Sequence, residues 1–64
     1  MRKYLYCYTW DCTHEDFILR IFHDEDLSLA YEGYFDIISE DTVVKAITEF
    51  DPEPFELEQI EGEI

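Results

Sequence analysis

The stretch KYLYCYTW, residues 3–10, decides how the rest of the chain is read. Its side chains alternate with a period of two: Tyr4, Tyr6, Tyr8 and Trp10 fall on one side, Leu5, Cys7 and Thr9 on the other. Successive side chains of a β-strand point to opposite faces, and aromatic and β-branched residues favour strands, so residues 3–10 are predicted to form one. Downstream, 11–16 reads as a turn or short loop. FILRIFH, 17–23, reads as a second strand with Phe17, Leu19 and Ile21 on one face and Ile18, Arg20 and Phe22 on the other.

Asp24, Glu25 and Asp26 mark a tight connection. A third strand is expected over 27–38, with Leu27, Leu29, Tyr31, Phe35 and Ile37 on a shared face. Gly33 interrupts it and predicts a bulge or bend there. Ser39 suits a helix N-cap, because its hydroxyl can accept a bond from an unpaired N–H of the first turn. Glu40 and Asp41 then meet the positive end of the helix dipole. Val43, Ile47 and Phe50 follow at helical spacing as one apolar stripe, and Asp51-Pro52 ends the helix. Pro52 and Pro54 hold an extended connector into a last strand over 55–60. The expected fold is α+β: a small antiparallel sheet of three to four strands with one helix packed on it, in the order β-β-β-α-β. Residues 1–64 make a single domain, with 61–64 expected to be a loose end because Gly62 weakens any strand.

Charge is the strongest compositional signal. Seventeen acids face four bases, Arg2, Lys3, Arg20 and Lys45, for a formal net charge of −13 over 64 residues. Apolar residues make up 47% and aromatics 17%, enough to expect a folded chain despite the charge. Such an acidic surface excludes direct binding of nucleic acid or an anionic membrane, since both depend on basic side chains displacing counterions. No apolar run reaches the roughly 20 residues that span a bilayer. Two cysteines are too few for a disulfide framework, and MRKYLYCYTWDC lacks the apolar stretch and small-residue cleavage site of a secretory signal. The expected location is therefore the cytoplasm, with reduced thiols.

Three kinds of chemistry were tested against the residues. Cys7, Cys12, His14 and His23 give the spacing C-x4-C-x-H-x8-H, four ligands that suit zinc in type. Cys7, however, lies mid-strand rather than in a knuckle turn, and the plainer reading makes it a small buried hydrophobe. The window from Asp24 fails as a calcium loop, having leucine where the bend needs glycine and phenylalanine where the bidentate glutamate belongs. Paired carboxylates are unavoidable among seventeen acids, and no nucleophile arrangement or glycine-rich phosphate loop stands beside them. The chain is accordingly read as a binding protein without a cofactor, not as an enzyme.

Two surfaces could serve binding. The row Tyr4, Tyr6, Tyr8 and Trp10 is either core or an interface, and period alone leaves both open. On a last strand, Glu56 and Glu58 share a face about 6.6 Å apart, comparable with successive phosphates of a nucleic-acid strand. The plainer reading of those acids is a solvated edge that resists aggregation. In size, charge density and closely spaced acids such as Asp24, Glu25, Asp26, Glu56 and Glu58, the chain resembles the small acidic inhibitors encoded by bacteriophages and mobile elements. That convergent class includes DNA mimics that block restriction enzymes or uracil-DNA glycosylase, and some anti-CRISPR proteins. The resemblance implies a partner with a basic groove, normally a nucleic-acid-binding enzyme, blocked by occlusion in the host cytoplasm. Asp24, Glu25, Asp26, Glu53, Glu56 and Glu58 are expected to supply the electrostatics, and Tyr6, Tyr8 and Trp10 the desolvated centre. The alternative is a structural or regulatory homodimer whose acidity serves solubility only.

Overall fold

A computed structural model describes residues 2–61. Its elements are β1 (Arg2–Asp11), β2 (Asp16–His23), β3 (Leu29–Phe35), α1 (Glu40–Phe50) and β4 (Phe55–Gln59). The expected α+β order holds, with four strands in one sheet in the spatial order β3-β2-β1-β4. The sheet is mixed rather than wholly antiparallel: β1–β2 and β2–β3 are antiparallel, and β4 runs parallel to β1. The helix is the reason. α1 carries the chain back over the sheet to the end where β3 began, so the next strand must run in the direction of β3, which is also that of β1. Beyond Glu61, the end expected to be loose lies outside the described residues.

The two alternating patterns resolve into two faces. Tyr4, Tyr6, Leu19 and Ile21 point to the helix and pack with Val43, Ala46 and Ile47 as the main core. Each fully buried aliphatic side chain of this size contributes about 1.5–3 kcal/mol by leaving water. Leu5, Cys7 and Phe22 occupy the opposite face, where Ile60 packs against them. Ser39 caps α1 as expected: its Oγ accepts from Thr42 N–H, and Thr42 Oγ1 accepts in return from Ser39 N–H. Val43, Ala46 and Ile47 are buried, whereas Phe50 lies at the edge with its ring against Tyr4.

The third strand departs from expectation in two places. β3 begins at Leu29, because Leu27 adopts a left-handed φ of 60° in the preceding turn and donates its N–H to His23 O. At the other end Ile37 is outside the strand and 79% exposed. The irregularity is not at Gly33, which pairs in register with Leu19. It lies between Leu29 and Tyr31: Ile21 pairs with Tyr31 and Phe22 with Leu29, so Ala30 is the extra residue. That shift puts Leu29 on the face opposite Tyr31. Gly33 serves a close approach instead, since a Cβ there would lie 2.7 Å from Tyr31 Oη. The Tyr31 ring is held over the glycine by stacking on Phe50, with centroids 6.3 Å apart.

One buried carboxylate joins three elements. Asp51, 4% exposed, ends α1 by donating its N–H to Ile47 O at 2.8 Å. A negative charge at a helix C-terminus opposes the macrodipole, so it needs compensation. Tyr4 Oη and Arg2 Nη1 supply it, each donating to Asp51 Oδ2 at 2.8 Å. The phenol and the guanidinium hold the Asp51 carboxyl below the usual carboxylate range. A depressed folded-state pKa gives stability that is complete above the unfolded value and is lost as pH falls through the folded one. Asp51→Asn should therefore lower the thermal midpoint at neutral pH by about 5–10 °C, and the gap from wild type should begin to narrow as pH falls below about 3.9 and close only below the depressed folded-state pKa. Calorimetry across pH checks both, and a constant gap down to the lowest pH would contradict the assignment.

Candidate functional site: a protein-interaction surface

The aromatic row of β1 is divided. Tyr4 and Tyr6 are buried under the helix, while Tyr8 is 38% exposed and Trp10 56%. Length explains the division: α1 has 11 residues and β1 has 10, so the helix covers about 16 Å of a strand about 33 Å long. Tyr6 is thus core rather than a hot spot, a correction to expectation. Its hydroxyl reaches Gln59 Oε1 at 3.4 Å, and burial first, then the Glu40 charge, raise its pKa. Tyr8 and Trp10 remain on the helix-side face past the start of α1. Their rings meet Phe17 edge-on, at centroid distances of 6.1 and 5.2 Å.

Among the described residues, the backbone beside these rings also has no strand partner on one side. β4 pairs with β1 only from Arg2 to Tyr6, and the last bond on that side is Ile60 N–H to Tyr6 O at 2.9 Å. N–H and C=O of alternate residues point to the same side of a strand. The groups of Tyr6 point to β4, so those of Tyr8 and Trp10 point the same way, where no described residue pairs with them. This edge was missed in the sequence, although ten apolar-rich residues at one end against five pairing residues at the other carried the signal.

Eleven of the sixteen described acids gather in two groups. All six expected acids lie around the start of β1, near Arg2 and Lys3. Asp26 is spent on its own turn: Oδ1 accepts from Ser28 N–H at 3.0 Å and from Ser28 Oγ at 2.7 Å, which lowers its pKa. Lys3 Nζ binds Glu58 Oε1 at 3.1 Å and also feels Asp24 and Glu56. Glu25 and Glu53 flank Arg2 in a shallow depression closed by Pro54. Glu56 and Glu58 share the side of β4 opposite Phe55 and Leu57, as expected.

The second group was not anticipated and gathers around the β1–β2 turn. Asp11 Oδ2 meets His14 Nδ1 at 3.0 Å, and His14 with the turn's N–H groups lowers the Asp11 pKa. The His14 ring in turn lies 4.5 Å from that of Tyr34. Asp16 and Asp36 lie close enough for one carboxyl to hydrogen-bond the other, and this neighbour raises the Asp16 pKa. Glu15 and Glu40 are exposed at the same end.

The weak zinc set is not brought together. Cys7 is buried on the open face, His23 lies on the helix side with its ring 5.4 Å from Tyr4, and Cys12 and His14 belong to the exposed turn. Among the described residues, no group of three or more His, Cys, Asp and Glu is placed to hold a metal ion. A groove of about 510 Å³ runs between α1 and β3, lined by Tyr31, Phe35, Thr42, Lys45 and Glu49 among others. No helix among the described residues is long and apolar enough to cross a membrane. No protein-family model, curated protein or solved structure matches the chain, so its functional reading rests on its own residues.

The raised Asp16 pKa has a definite sign. Ionising both Asp16 and Asp36 costs stability above that pKa, and the cost disappears once Asp16 holds its proton. Asp16→Asn should raise the neutral-pH thermal midpoint by about 2–4 °C, with the gain vanishing in acid. A loss of stability at neutral pH would contradict it.

Proposed function

We propose that this chain is a small acidic binding protein that inhibits a nucleic-acid-handling enzyme by occupying its basic groove. The observation that carries the reading is the imbalance of charge at the surface. Thirteen of the sixteen described carboxylates are exposed. Three of the four Lys and Arg side chains are held in ion pairs, Arg2–Asp51, Lys3–Glu58 and Arg20–Glu32. The body measures 36 × 21 × 15 Å. Its long axis matches one turn of duplex DNA, about 34–36 Å. Thirteen net charges along it amount to roughly one per 3 Å, against one per about 1.7 Å in duplex DNA. Action is by occlusion, without a cofactor, in a reducing cytoplasm that suits two cysteines outside any disulfide. Conflict between phage and host is the setting implied by the resemblance to small acidic inhibitors.

A second reading, a structural or regulatory homodimer, is favoured by the open face of the sheet. Leu29, opposite Phe22, and Tyr34, opposite Ile18, are exposed on the face that carries Leu5, Cys7 and Phe22, where no described helix packs. Sedimentation at low and high protein concentration separates the two readings, a tight dimer supporting the second.

Binding and inhibition assays against purified bacterial nucleic-acid-processing enzymes test the first. Inhibition should be competitive with duplex DNA and weaken steeply from about 0.05 to about 0.5 M salt. Glu56→Lys combined with Glu58→Lys should reduce affinity by about tenfold or more, chiefly through slower association. A complex insensitive to salt and to competing duplex would contradict groove occupation.

A further inference from the structure

We propose that the edge of β1 at residues 8–10, which no described residue pairs with, receives an extended, lysine- or arginine-bearing segment of a partner protein as an added strand. This goes beyond groove occupation and does not rest on it. Beyond the last β4 bond, Tyr8 and Trp10 turn two N–H donors and two C=O acceptors to the side where β4 has ended. They are two residues apart, the repeat with which a partner strand bonds.

Proteins blunt exposed edges with charge, proline or brevity. β4 does so with Glu56 and Glu58 in a five-residue strand that follows Pro54. The outer strand β3 carries Glu32, an extra residue at Ala30 and Gly33. Residues 8–10 of β1, Tyr-Thr-Trp, carry none of these devices. The same two residues expose their rings, backed by Phe17, so side chains of an added strand would find aromatic walls on the helix-side face.

Charge selects the occupant. Asp11, Glu15, Asp16, Asp36 and Glu40 surround this end, and Asp16 and Asp36 already repel each other. Arg2 and Lys3 lie toward the other end of β1, roughly 16–26 Å from residues 8–10 and past the Debye length of about 8 Å at physiological salt, while Arg20, opposite Cys7, is held in an ion pair with Glu32. A second copy of the chain would bring its own −13 to the same place. A basic segment relieves the repulsion that an acidic one would increase.

The test is an NMR titration of the isotope-labelled protein with a synthetic probe, acetyl-Lys-Val-Lys-Val-Lys-amide. Companion probes are the glutamate analogue and two versions N-methylated at every second residue, one in each phase. The expected result is that the Tyr8 and Trp10 amides shift and gain protection from exchange. At least one methylated phase should bind about tenfold or more weakly, since it removes donors from the pairing edge. The glutamate peptide should leave both amides unmoved. The proposal is overturned if both methylated phases bind like the parent, if shifts centre on Asp24, Glu25 and Asp26, or if no binding occurs. It is equally overturned if Tyr8 and Trp10 become protected with rising concentration of the protein alone. Groove occupation would survive any of these results, because its own test does not involve this edge.

Discussion

The fold turns on the carboxylate of Asp51. It sits where a helix dipole repels it and is kept there by two donors from β1, Tyr4 and Arg2, each at 2.8 Å. Glu53 N–H adds a third bond, to Oδ1 at 3.3 Å. Through this one residue the end of α1, the start of β1 and the connector into β4 share a single anchor. Pro52 and Pro54 keep that connector extended, so Phe55 enters the sheet opposite Arg2. Four residues later, at Gln59, β4 ends opposite Tyr6. The free edge at Tyr8 and Trp10 thus follows from where Asp51 lets the last strand begin.

The same anchor shapes the electrostatics. Arg2 is consumed in holding Asp51, Lys3 pairs with Glu58 and Arg20 with Glu32. Little positive charge remains to balance the surface, so the apolar core must offset self-repulsion as well as chain entropy. The core does this with a few fully buried side chains, Leu19, Ile21, Val43 and Ile47, beneath a single helix. Asp36 crowds Asp16 near the exposed rings and raises its pKa. A basic extended partner would offset the charge, cover the exposed aromatics and pair the open backbone groups of this surface.

Much of this architecture is legible in the residues. The alternation of 3–10 and 17–23 defines both sheet faces, and Ser39 with Asp51-Pro52 bounds the helix. Direction was harder: β4 is parallel because α1 reverses the chain, a consequence of counting reversals rather than of any residue. Gly33 looked like a bulge because an isolated glycine in a strand often is one. Here the glycine makes room for the Tyr31 ring, and the extra residue is Ala30, which carries no local mark. Period two also separates faces without saying how far along a face a helix reaches, which is why Tyr6 and Tyr8 looked equivalent. Asp51 could not be singled out among seventeen acids, since its burial depends on partners 47 and 49 residues away.

Amide hydrogen exchange on the free protein checks that pairing of β1 with β4 ends at Tyr6. The Tyr4 and Tyr6 amides should be protected together with the helix core at Val43 and Ile47. The Tyr8 and Trp10 amides should exchange at close to unprotected rates in the same sample. Protection of Tyr8 and Trp10 equal to that of Tyr4 and Tyr6 would contradict it.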